Sequence, residues 1–140
     1  MNVRPTSTAD EVDLIAEFEQ GRSPQGFHHG DHVRVAFAYL AQFPFLEGAQ
    51  RFCAALKRFA ATQGKPQLYH ETITWAFLCL IRERRARSGA STWAEFVQRN
   101  ADLLAGKSFL LERFYRKETL DSDLARAIFV FPDQVTPNNS

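Results

Sequence analysis

All four histidines of the chain fall in two short motifs. The first reads Phe-His-His-Gly-Asp-His over residues 27–32, and the second reads Tyr-His-Glu-Thr over residues 69–72. Neutral imidazole binds zinc or iron, and it also exchanges protons near neutral pH. Because Asp31 and Glu71 stand beside the histidines, the two motifs predict one polar functional site, provided that the fold brings them together.

The first hypothesis for this site is a single divalent metal ion of the zinc or iron type. His28 and His32 are four residues apart, so they share one helix face if the helix already includes His28. With His70 they give three ligands, and a site of this kind leaves a position open for a small-molecule substrate. In such a metalloenzyme, Glu71 and Asp31 are the candidate catalytic carboxylates, because each can complete the ligand set or orient a ligand.

The second hypothesis is a metal-free pocket for an anionic small molecule. A histidine paired with Asp or Glu can act as a general acid or base. Arg34 follows the first motif directly and can bind a carboxylate or phosphate. The other candidate substrate-binding residues are His29, Tyr39 and Tyr69, of which Tyr39 is expected deep in a cavity and Tyr69 at its mouth.

The third hypothesis gives the histidines no ligand at all. Asp31 is then the N-cap of its helix, His70 a hydrogen-bonded core residue, and Glu71 a first-turn residue that favours the helix dipole. In that case the chain is a helical interaction protein, and its 13 phenylalanines favour a homodimer.

Apolar residues recur at helical spacing almost throughout the chain. Four principal helices are predicted, followed by short ones after Thr92, near residues 109–115 and from Asp121 or Ser122 to Ala127. The principal helices are expected over about 8–20, 30–43, 46–62 and 66–87. We therefore predict an all-α fold, a helical bundle that forms a single domain over residues 1–134, with a disordered tail over 135–140.

The bundle explains how the two motifs meet. Consecutive helices joined by short connections run antiparallel, so the second and fourth helices are parallel to each other. Their N-terminal ends then lie at the same end of the bundle, with His32 and His70 on the faces that point inward. Helix N-termini also favour anions, because their backbone N–H groups are unpaired.

The bulk composition excludes several classes of partner. The net charge of +1 gives no electrostatic reason to expect nucleic acid. No run of residues approaches the roughly 20 apolar positions that span a membrane. The only cysteines, Cys53 and Cys79, lie in apolar helical runs and are expected in the core. Together with the absence of a signal-peptide pattern, they favour a cytoplasmic protein.

The two histidine motifs, extended to Val35-Ala36 and to Ile73-Thr74, resemble a family of small uncharacterised bacterial helical proteins. The resemblance includes Phe18-Glu19-x-Gly21, Trp93-x-x-Phe96 and a closing segment from Ala125 to Asp133. It implies a shared fold and a bacterial cytoplasmic setting, but it implies no particular reaction.

Overall fold

The computed structural model describes residues 8–21 and 29–134. Within these residues the fold is all-α, as predicted, and contains no strand. Four long helices are followed by four short ones. The helices are α1 (Thr8–Glu19), α2 (His29–Gln42), α3 (Phe45–Thr62), α4 (Glu71–Ser88), α5 (Trp93–Arg99), α6 (Lys107–Arg113), α7 (Lys117–Leu120) and α8 (Asp123–Ala127).

Helix α2 lies at the centre, because it packs against α1, α3 and α4. Seven of its residues between Val33 and Leu40 are buried. Aromatic rings join the long helices: Phe18 of α1 stacks on Phe52 and contacts Phe59, both of α3. This packing of α1 to α4 is compatible with the predicted bundle.

Helix α4 begins at Glu71, five residues later than predicted. Pro66 starts a single 3-10 turn, Pro66–Leu68, and Tyr69 and His70 then adopt extended backbone conformations. The imidazole of His70 accepts a hydrogen bond from the Ile73 N–H and so caps the helix. His70 therefore lies just before the first turn of α4 rather than within it.

Two of the predicted short helices begin where they were expected, each with a side-chain cap. The Thr92 side chain accepts from the Glu95 N–H at the start of α5, and the Ser122 side chain accepts from the Ala125 N–H at the start of α8. Helix α7 and a 3-10 helix over Ala101–Ala105 were not predicted.

The last described residues, 128–134, run without helix along α4. Thr72 hydrogen-bonds the backbone of this segment at two positions, and the Tyr115 hydroxyl donates to the Val130 carbonyl at 2.6 Å. No described helix is both long and apolar enough to cross a membrane. The predicted tail, 135–140, lies outside the described residues.

Candidate functional site

Three histidines, His29, His32 and His70, line one cavity of about 550 Å³. The cavity lies where α2 and α4 begin, beside the last turns of α3. Three of the four histidines, from both motifs, therefore lie at one place. We call this space the three-histidine cavity.

The wall of the three-histidine cavity is largely apolar in its interior and polar at its rim. Inside, it consists of buried or half-buried residues such as Leu56, Phe59 and Ile73. Outside, the exposed side chains of Gln63, Lys65, Leu68 and Lys107 form the rim. Among the residues that the structure describes, the lining includes two lysines and no carboxylate.

His70 is 7% exposed, and both of its ring nitrogens have protein partners. Nε2 donates to the Leu120 carbonyl at 2.7 Å, and Nδ1 accepts from the Ile73 N–H at 3.1 Å. Burial lowers the pKa of His70, and the positive charges of Arg126 and Lys107 lower it further. The ring is therefore neutral near pH 7, and a metal or a proton can reach a lone pair on it only if the helix cap breaks.

His29 is also anchored, but at one nitrogen. Its Nε2 donates to the Leu103 carbonyl at 3.0 Å, and its ring meets the Phe77 ring edge to face, with centroids 4.7 Å apart. Burial lowers its pKa. Since Nε2 bears the hydrogen in the neutral ring, the lone pair is at Nδ1, which makes His29 an acceptor of hydrogen bonds.

Tyr69 reaches the cavity, as expected, and is bound to Glu71. The Tyr69 hydroxyl donates to Oε1 of Glu71 at 2.7 Å, and the Trp75 indole donates to Oε2 at 3.1 Å. Burial raises the pKa of Tyr69, so the phenol stays protonated. Glu71 itself does not line the cavity, and its carboxylate accepts hydrogen bonds from these two aromatic residues, so its role as a catalytic carboxylate stays a prediction.

Three other predicted site residues are described by the structure but do not line the cavity. Asp31 and Arg34 are exposed on α2. Tyr39 is fully buried, and its hydroxyl donates to Oε2 of Glu19 at 2.9 Å, so it joins α2 to α1. Cys79 is exposed, contrary to its expected place in the core, and it lines a groove together with Tyr115 and Phe129.

The metal-site hypothesis gains no support from the described residues. They contain no group of three or more His, Cys, Asp or Glu side chains that could hold a metal ion. His28 lies outside the described residues, so the ligand set of His28, His32 and His70 stays a prediction. To join such a set through Nδ1, His70 would have to give up the hydrogen bond that this nitrogen accepts from the Ile73 N–H.

Several residues of the cavity were not singled out from the sequence. Lys65 lies in the connection before α4, Lys107 begins a short helix far along the chain, and Leu56 and Phe59 belong to the apolar face of α3. Each has an ordinary explanation when taken alone, as a solvated charge or a core residue. Only the folded chain shows that they surround the same space.

The chain matches no protein-family model, and no curated protein or solved structure is detectably similar to it. The resemblance to small bacterial helical proteins therefore stays a prediction. The function has to be argued from the cavity itself.

Proposed function

We propose that this protein binds a small organic anion with an apolar body in the three-histidine cavity. The observation that supports this proposal is the lining of the cavity: an apolar interior, three histidines, and a rim that has two lysines and no carboxylate among the described residues. A volume of about 550 Å³ is within the usual range of ~300–1,000 Å³ for small-molecule pockets.

The charges near the cavity favour an anion over a cation. Lys65 and Lys107 are exposed, so they can turn toward a ligand without breaking a buried contact. The N-terminal ends of α2 and α4 also lie at the cavity, and the carboxylates in their first turns, Asp31 and Glu71, do not line it. His29 and His70 are neutral near pH 7 because burial lowers their pKa values, so the lysines supply the full charges.

The proposal concerns binding and does not include a reaction. Acid–base catalysis by His70 would need a free ring nitrogen, and both are hydrogen-bonded by the protein. The proposal keeps the cytoplasmic setting that the two free cysteines favour. Homodimer formation stays a prediction, which light scattering tests.

The proposal is tested by titrating the protein with three eight-carbon probes that differ only in their head group: octanoate, 1-octanol and octylammonium. Binding is followed by amide chemical shifts in two-dimensional NMR. We expect octanoate to shift the signals of His29, His70 and Thr74, and to bind about tenfold more tightly than octylammonium, a difference of ~1.4 kcal/mol.

Charge variants locate the head group. Lys65→Gln and Lys107→Gln are each expected to weaken octanoate binding about threefold or more, since one charge near a protein surface contributes ~1 kcal/mol. Arg34→Gln is the matched control, because Arg34 is an exposed cation on α2 that does not line the cavity. Equal affinity for octanoate and octylammonium would overturn the proposal, as would shifts confined to residues elsewhere.

A further inference from the structure

Behind the three-histidine cavity lies a second, smaller space of about 50 Å³. The two spaces share five lining residues, His29, His32, Leu56, Ile73 and Thr74. We call the smaller space the inner chamber. It extends between α2, α3 and α4 toward the centre of the fold.

The inner chamber is apolar beyond its entrance. The residues that line it but not the outer cavity are all aliphatic or aromatic: Val33, Ala36, Phe52, Phe77, Leu78 and Ile81. Of the polar groups at the entrance, the Thr74 hydroxyl donates to the His70 carbonyl and His29 Nε2 donates to the Leu103 carbonyl. Spaces with such walls stay dry and accept apolar groups rather than water.

The size of the inner chamber restricts the apolar group that it admits. An apolar protein cavity of ~150 Å³ is known to bind benzene. A chamber of about 50 Å³ is too small for a ring but admits the end of an aliphatic chain. The rim lysines of the outer cavity attract the opposite, charged end of the same molecule.

We infer that the ligand is an aliphatic monocarboxylate whose chain end enters the inner chamber while its carboxylate lies between Lys65 and Lys107. This inference rests on the proposed anion-binding function and adds the class of molecule. The inner chamber then limits the length of the chain that binds best. Each methylene adds affinity until the chamber is full, and a methylene added after that does not.

The test is a titration with straight-chain carboxylates from butanoate to dodecanoate, together with benzoate and phenylacetate. Affinity is expected to rise about fourfold with each added methylene until the chamber is filled and then to level off. The two aromatic acids are expected to bind at least tenfold more weakly than the best aliphatic acid, since their rings do not enter the chamber.

Two core variants change the size of the chamber in opposite directions. Ala36→Val fills it and is expected to move the plateau to a shorter chain, and Ile81→Val enlarges it and is expected to move the plateau to a longer chain. Ile15→Val is the matched control, since Ile15 is buried on α1 and lines neither space. Val33→Ile replaces Ala36→Val if the latter does not fold.

The possible outcomes separate the inference from the proposed function. If carboxylates bind but aromatic and aliphatic acids bind equally, or if the plateau does not move in the chamber variants, the inference is wrong and the anion site remains. If no carboxylate binds in preference to octylammonium, the proposed function fails, and the inference fails with it.

Discussion

The imidazole Nε2 of His70 lies 2.7 Å from the carbonyl oxygen of Leu120, fifty positions later in the chain. The other nitrogen of the same ring caps α4. One side chain thus fixes both the start of a central helix and the position of the short C-terminal helices. At the same time its ring forms part of the wall of the three-histidine cavity.

Replacing His70 should therefore reduce the stability of the fold more than it reduces ligand binding. We expect His70→Ala to lower the free energy of unfolding by ~2–4 kcal/mol, since a lost N-cap costs ~0.5–2 kcal/mol and a buried carbonyl left without its donor costs ~1–3 kcal/mol. His70→Asn should recover the capping part, because Asn is among the best N-cap residues. Denaturant unfolding measures both, and equal losses in the two variants would contradict the capping role.

Acid should destabilise the protein through the same histidine. Burial lowers the pKa of His70 and of His29 below the ordinary value of 6.5, so the unfolded chain takes up protons that the folded chain does not. Stability is then complete above about pH 6.5 and falls as the pH drops from there toward the lowered folded-state values. We expect the denaturant midpoint to fall between pH 7.5 and pH 5, with a smaller fall in His70→Asn. An identical fall in that variant would show that other groups cause it.

The close approach of α2 and α3 depends on Gly48. A Cβ built on this residue would lie 2.8 Å from the backbone oxygen of Tyr39, which cannot move aside without shifting α2. Gly48→Ala should therefore destabilise the protein by ~1–3 kcal/mol, although Ala is ordinarily favoured over Gly in a helix by ~1 kcal/mol. Gly30→Ala is the control, because no residue that the structure describes lies within 4 Å of its added methyl group. We expect this second variant to be neutral or stabilised in thermal unfolding, and a stabilised Gly48→Ala would show that the helices can separate at little cost.

The helices themselves were largely predictable from the sequence, and the start of α4 shows where that prediction fails. The apolar spacing of α3 and the capping residues Thr92 and Ser122 are local signals, and the structure agrees with them. Pro66 is also a local signal for a first helical turn, but the turn it starts is a short 3-10 helix. Histidine is not an expected N-cap, and its bond to Leu120 depends on residues that are distant in sequence.

The part of the candidate site that depends on the order of the helices was predictable from the sequence. Placing the two motifs at the starts of two neighbouring helices was enough to predict that His32 and His70 lie at one cavity, although His70 precedes α4 and its expected helical phase does not apply. The sequence pattern could not reveal that the Tyr39 hydroxyl donates a hydrogen bond to Glu19 of α1 and so does not line the cavity. Nor could it show that Lys65 and Lys107 share a rim, because no spacing rule relates a loop residue to a helix that begins 42 positions later.

The hydroxyl of Thr72 hydrogen-bonds the C-terminal segment, residues 128–134, to α4. Its Oγ1 donates to the Ile128 carbonyl at 2.8 Å and accepts from the Val130 N–H at 3.1 Å, and the residue is fully buried. Thr72→Val keeps the shape of the side chain but removes both bonds, so we expect a loss of ~1–3 kcal/mol in the free energy of unfolding.

The same variant should expose the backbone of the segment to solvent. Hydrogen exchange at the Val130 amide is expected to be faster in Thr72→Val, because the oxygen that accepts its hydrogen bond is gone. Thr72→Ser is the matched control, since it keeps the hydroxyl and loses only a methyl group. Fast exchange at Val130 in Thr72→Ser but not in Thr72→Val would show that packing of the methyl group fixes the segment. Slow exchange in Thr72→Ser together with fast exchange in Thr72→Val assigns that role to the hydroxyl.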